Sequence, residues 1–478
     1  MEGHEPCRDI SSILPSRVVF ITGPRNVRLY ESNGEIEKYV CLSHCWGNAK
    51  LIQTTGSTLQ SYKRDIPWKE LPLTFQEAIS FAFQLGYRYL WIDSLCILQD
   101  SAEDWRHEGS RMSQIYSGAH LTIAATASSD GSGGCFRQCE RPLTYFSYPA
   151  PNGSDLQMAV RCGIEDSSWL NNGLPLLKRA WVFQERLLSQ RVIHFLEKEL
   201  LWECRAKTEH ELHVDSDVRM RSFNENGPRA LTAILPRDES GMILQWISLI
   251  TQYTSQNLTF EKDIFSALQG ISKQISEHIK SPYLAGLWEI DIISGLLWMS
   301  ELKERPHEWR APSWSWASVL GKATWELTGY DRILTPRASC MAHHIEPVAS
   351  DKFGQLRSGK ITLRGQCLDE SEEGVFCLIT DQNAEIVVYP TTSRGKRPII
   401  SFAVDCKDLD GIRPHSAPVV PGQRVKTILM AEFNPYYFFL VLRSVDAKKS
   451  TYERFGLIMM YFPESSLNFG NEEIVHII

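Results

Sequence analysis

Long apolar runs are missing from this sequence. None approaches the roughly 18 residues that a membrane-spanning helix needs, and the longest, around 436–442 and 457–462, have the length of strands. A basic run is missing too. Lys and Arg number 50 against 57 Asp and Glu, a net charge of -7. That balance argues against nucleic acid as a partner and against a polybasic membrane surface. Neither GxxxxGK[ST] nor GxGxxG occurs, so the usual phosphate-cradling loops are absent. No repeat of roughly 20–50 residues and no low-complexity tract is found, which excludes an obvious solenoid or propeller. Met1-Glu2-Gly3-His4-Glu5 has no apolar core behind it, so no secretory leader is expected. A cytoplasmic protein with its 12 cysteines reduced is the expectation.

What is present is an ordinary globular composition, 43% hydrophobic and 22% charged, in a chain long enough for several cores. The first third alternates strand and helix. Residues 39–45 read as a strand ending at Trp46-Gly47, 87–92 as a second ending at Asp93, and 120–126 as a third. Between the first two, Phe75, Ala78, Ile79, Ala82 and Phe83 recur at helical spacing, with Gly86 just past the end. Thr74 and Glu77 have the spacing of a capping box. Between the last two, Ser101 is the candidate cap of a helix with Trp105, Met112, Ile115 and Tyr116 inward and Gly118 at its end. Strand–helix–strand–helix–strand with short joints predicts a parallel sheet flanked by helices.

Farther on, 179–188 reads as helix and 191–195 with 200–204 as paired strands. Helices are expected at about 240–256, 262–280 and 284–303. Short strands follow at 361–367, 374–380, 385–389, 399–404, 425–431, 437–443 and 455–461, as in an all-β sandwich or barrel. The expected organisation is an extension over 1–38, an α/β domain over 39–205, a mainly helical region over 206–320 and a β-rich lobe over 321–478.

Ligands of open parallel sheets bind beyond the carboxyl ends of the strands. There the sequence places Ser43, His44, Trp46 and Gly47 after the first strand, and Asp93, Cys96 and Gln99 after the second. Cys96 with His44 and Asp93 is a candidate nucleophilic set, against the plainer reading of a buried thiol. Asp93 is a candidate base or ribose-binding group, against a turn cap. Trp46 either stacks on a flat ring or packs in the core. Glu77, Glu103, Glu108 and Glu185 are further candidate carboxylates, Glu77 mainly as a cap and Glu103 and Glu108 mainly as a solvated helix face. Trp314 and Trp316 either line an apolar pocket or pack together. Cys41, His44 and Cys45 alternate across a strand, and Cys135 and Cys139 share the same spacing. Neither set makes a natural zinc site, and no metal or required cofactor is expected.

Several of these words occur together in a known order. YVCLSHCWG (39–47), LPLTF (71–75), YLWIDSLCILQ (89–99) and MSQIYSGA (112–119) resemble the signature of the fungal heterokaryon incompatibility (HET) domain. RAWVFQERLL (179–188), WEC (202–204), YLAGLW (283–288), LW (297–298) and APSWSWA (311–317) resemble segments that follow it. The resemblance implies fungal non-self recognition and cell death. It also implies a core related to the TIR fold and, by analogy with TIR-like domains, NAD as a candidate substrate cleaved with the help of a glutamate. It maps Ser43, Trp46, Gly47, Trp91, Asp93, Cys96 and Gln99 onto family positions, but not the TIR glutamate. His44 and Cys45 fall at variable positions. No sensor module accompanies the motifs in this sequence, so self-association or an unlinked protein partner is expected to activate it. The alternatives are an enzyme that tailors a small apolar metabolite in secondary metabolism, with His44, Asp93 or Glu185 as acid or base, and a non-catalytic docking module.

Overall fold

The computed structural model describes residues 12–47, 51–137, 143–149, 155–161, 174–211, 239–302, 304–325, 334–368, 376–380, 385–389, 399–405, 425–446, 449–461 and 469–478. The chain divides into two compact units, Met1–Ile234 and Leu235–Ile478.

The first unit is built on an eight-stranded sheet. Its centre is β3 (Tyr39–Ser43), buried along its whole length. Two strands run parallel beside it, β4 (Tyr89–Trp91) and β5 (Leu121–Ala124). β6 (Arg191–Phe195) lies parallel to β5. The registers align Ser43 with Ala124 and Ala124 with His194, so the strands end in one row. The expected parallel sheet is therefore present. It is also mixed, because antiparallel strands complete both edges. β1 (Arg17–Gly23) and β2 (Asn26–Glu31) form a hairpin that pairs with β4, and β7 (Leu200–Cys204) and β8 (Thr208–His210) continue from β6. The segment expected as an extension thus supplies two strands of the sheet.

Helix α1 (Leu73–Gln84) buries Thr74, Phe75, Ala78, Ile79 and Ala82, the stripe its sequence predicts. Phe83 is only half-buried. The expected capping box is not formed. Pro72 occupies the cap position, and Thr74 and Glu77 are turned to another task. Thr74 Oγ1 accepts from the Gly134 N–H at 3.1 Å, and Glu77 Oε2 accepts from the N–H groups of Cys135 and Phe136. They pin the loop after β5 onto the helix. A single turn, α2 (Asp93–Cys96), follows β4. Ser101 caps α3 (Ala102–Gly118) by accepting from Asp104 N–H at 3.2 Å, as its position predicts. Burying each large apolar side chain of these faces contributes about 1.5–3 kcal/mol.

The second unit opens with helices α4 (Glu239–Tyr253) and α5 (Gln269–Ser276). The helix expected over 284–303 is replaced by a hairpin of Tyr283–Leu284 with Leu287–Trp288 and by short helical turns. Ala285 and Gly286 between them have φ of 46° and 92°, the pair of left-handed residues that a tight two-residue hairpin turn requires. A Cβ on Gly286 would lie 2.5 Å from Trp316 Nε1. The Gly286 carbonyl accepts from the indoles of both Trp246 (3.0 Å) and Trp316 (2.9 Å). The tryptophan-rich words thus converge on one backbone carbonyl.

The β-rich expectation holds for the tail. β9 (Ala338–Pro347), β10 (Leu356–Leu368), β11 (Ile399–Val404), β12 (Lys426–Phe433), β13 (Tyr436–Asp446), β14 (Thr451–Tyr461) and β15 (Phe469–Ile477) form one sheet, ordered β12-β13-β14-β15-β10-β9 with β11 also on β14. β10 pairs back onto β12 at Cys367 and Ile428, which closes the sheet on itself. Beneath it, fully buried Arg454 lies 3.5 Å from the centre of the Trp298 ring. Arg454 donates to Asp405 Oδ2 at 2.7 Å, to the Leu296 carbonyl at 2.6 Å and to the Trp298 carbonyl. Desolvation raises the pKa of Asp405 and lowers that of Arg454.

Candidate active site

The carboxyl ends of β3 and β4 bring together most of the residues the motifs single out. Alternation turns Ser43 and His44 to opposite faces. Ser43 Oγ donates to Glu185 Oε2 at 2.6 Å; Glu185 comes from the helix Ala180–Leu188. His44 packs edge-on against Phe75 of α1, with ring centres 4.9 Å apart. Trp46 Nε1 donates to Asp93 Oδ2 at 2.7 Å, and His44 Nε2 lies 3.7 Å from Asp93 Oδ1. The Asp93 side chain is 22% exposed, whereas His44 is 2% exposed. Solvent therefore reaches the site from the side of Asp93, Trp46 and Gly47, and Ser43, His44 and Glu185 lie behind.

Burial sets the protonation of the inner groups. It pushes the Glu185 carboxyl up to about 7, against the opposing Ser43 hydrogen bond and the Arg179 charge. It pushes His44 down to about 4, so the ring is neutral near pH 7. A carboxyl poised near neutrality beside a second carboxylate is an arrangement suited to proton transfer.

Cys96 does not act as the expected nucleophile here. Its side chain is fully buried, accepts from Ile92 N–H at 3.5 Å, and has its thiol pushed up to about 12 by desolvation, and a thiol held protonated is inert. Gln99 donates to the carbonyls of Asp93 (3.2 Å) and Ile97 (3.1 Å), so its amide braces the α2 turn. Glu103 is exposed on the first turn of α3, where a negative charge complements the helix N-terminus. Glu108 departs from the expected solvated face: it is buried, with Oε1 3.9 Å from Arg111 Nη1. Trp314 and Trp316 belong to the second unit and are 0% and 1% exposed in its interior, so they line no open pocket there.

Two side chains of the site lie within motif words but were not named as site candidates. Arg179 donates to the His44 carbonyl and lies close enough to lower the Glu185 pKa. Tyr116 donates to the Leu42 carbonyl at 3.2 Å and also bonds Glu185. The sequence cues for Arg179 are its place at the head of RAWVFQERLL and a cation set directly before an apolar helix.

Gly47 shapes the rim. Its φ is 66°, and a Cβ there would fall 2.3 Å from Asp130 Cβ and 3.2 Å from the Ser129 carbonyl. Gly47→Ala is expected to lower stability by about 1–2 kcal/mol from the backbone alone, and to loosen the loop that Glu77 holds. A fall in the urea midpoint together with faster amide exchange at Cys135 and Phe136 checks this.

Among the described residues, no group of three or more His, Cys, Asp or Glu is arranged to hold a metal ion. Cys139 of the second cysteine pair lies outside them. No described helix is long and apolar enough to cross a membrane.

A mixed α/β sheet with a parallel centre and a buried acid–base cluster at the carboxyl edge of that centre defines the class of this domain. Residues 39–185 match the family model described as Heterokaryon incompatibility protein (HET), so that stretch of the chain carries a HET domain. The match begins with the central strand and ends at Glu185, so it spans the cluster built on Asp93 and Glu185. No curated protein and no solved structure matches the chain.

Proposed function

We propose that this chain is an effector of heterokaryon incompatibility and cell death, acting in the cytoplasm, and that its strand-end site hydrolyses NAD. The observation that carries the reading is Glu185, a buried carboxyl with a pKa near 7, bonded to Ser43 and close to Asp93 at the carboxyl edge of a parallel sheet. In the reaction, the bond between ribose C1′ and the nicotinamide nitrogen breaks, and nicotinamide leaves with the electron pair. Water adds to C1′ and gives its proton to the ionised carboxylate. Asp93, which solvent reaches, meets the sugar, and Glu185 takes the proton. Glu185 is only 5% exposed, which fits an effector that stays silent until self-association or a protein partner opens the site. Of the aromatics that favour the metabolite-tailoring alternative, Trp314 and Trp316 are buried in core packing.

The test is nicotinamide release from NAD by the purified chain, alone and after forced dimerisation. Release by the dimerised wild type, with at least a hundredfold loss in Glu185→Gln and in Asp93→Ala, is the expected result. Equal rates in the variants, or no release in either state, would remove the NAD reading.

A further inference from the structure

We propose that His44 Nε2 and Asp93 Oδ1 together form a subsite for a vicinal hydroxyl pair, the cis-diol of a ribose. The proposal takes the identity of the sugar from the NAD reading above, and the diol from local geometry. The Leu42 carbonyl accepts a hydrogen bond from the His44 ring. Nε2 has no hydrogen-bond partner, so the ring proton sits on Nδ1 and Nε2 carries a bare lone pair. That lone pair faces Asp93 Oδ1 at 3.7 Å. Oδ1 is itself an acceptor, engaged by the adjacent Ser94 N–H at 2.7 Å. Two acceptors therefore confront one another with no donor between them, and an unpaired buried acceptor is costly.

The ligand that relieves this brings two donors about one hydroxyl spacing apart. A phosphate or carboxylate brings none, and a single hydroxyl satisfies one acceptor only. An ammonium would be placed near the Arg179 guanidinium, which already holds the His44 carbonyl. Neighbouring hydroxyls of a sugar supply one O–H to each acceptor. They enter from the exposed side of Asp93, whose Oδ2 stays held by the Trp46 indole.

The experiment follows the imidazole nitrogens of His44 by NMR in the full-length protein, held dimerised as in the turnover test, while ADP-ribose or nicotinamide is added. ADP-ribose is expected to move the Nε2 resonance and nicotinamide to leave it in place. His44→Phe, which keeps the contact with Phe75, is expected to bind ADP-ribose about tenfold more weakly. An Nε2 resonance unmoved by saturating ADP-ribose overturns the proposal, as does a folded His44→Phe with wild-type affinity. If that variant does not fold, the wild-type titration decides. NAD hydrolysis with a silent His44 sinks the diol subsite and leaves the function standing. A responding His44 without NAD hydrolysis does the reverse.

Discussion

Arg454→Ala is expected to cost the second unit about 3–5 kcal/mol of stability. The arginine is fully buried, and so is its partner Asp405. Removing the guanidinium strands a carboxylate in the interior and frees the carbonyls of Leu296 and Trp298, which it bonds. It also removes the cation stacked on the Trp298 ring, which contributes about 2 kcal/mol in a dry site. The pair as a whole is a different matter. Replacing both charges by apolar side chains of similar volume is expected to be near neutral, because neither ion then has to be desolvated. Urea titrations of Arg454→Ala and of the double variant Arg454→Met with Asp405→Leu separate the two cases. A loss under about 1 kcal/mol in the single variant would show that Asp405 finds another partner or takes up a proton.

Glu185→Gln is expected to stabilise the first unit at pH 8 by up to about 3 kcal/mol, and to have little effect near pH 4. The sign follows from the direction of the shift. The folded carboxyl titrates at about 7, above the ordinary 4.5. Between those values the folded state holds a proton that the unfolded state has released. Stability therefore falls as pH rises from 4.5 to 7 and is lowest above 7. Glutamine keeps an acceptor for Ser43 and has nothing to ionise. The groups facing Glu185 are Ser43, Arg179, Asp93 and Tyr116; Ser43, Arg179 and Tyr116 favour its charged form, and burial together with Asp93 outweighs them. Thermal midpoints of wild type and variant between pH 4 and 8 should converge at the acid end. Parallel curves would mean that Glu185 ionises in the fold without penalty. The same substitution is expected to abolish NAD turnover, so stability and activity should move in opposite directions.

The central sheet was legible because its residues are locally consistent. β3 is apolar up to its last residue, Ser43, as a strand covered on both faces must be, and α1 and α3 show clear stripes. The site was legible in part for the same reason: Ser43, Trp46, Gly47 and Asp93 stand at strand ends, where the chain has to turn. Tyr116 and Arg179 were not, because an inward tyrosine on a helix reads as core and a cation before a helix reads as a surface charge. Glu77 was misread because capping-box spacing is a local signal, and the loop it holds lies more than fifty residues away, at Cys135 and Phe136. The span 284–303 misled because its apolar residues sit at helical spacing while Ala285 and Gly286 force a hairpin turn. β9 went unseen because most of it is exposed, and its mixed small and polar residues show no period.

The mixed sheet imposes a schedule on synthesis. The hairpin of residues 17–31 is complete early, yet its place in the sheet is beside residues 89–91, which emerge only after the central strand and α1. On the ribosome it must wait as an isolated hairpin, a structure with little stability of its own. Its open edge is also a template for unwanted pairing. Yield in living cells should therefore be set by how long that edge stays uncovered, and codons that slow translation between residues 31 and 89 would be selected against.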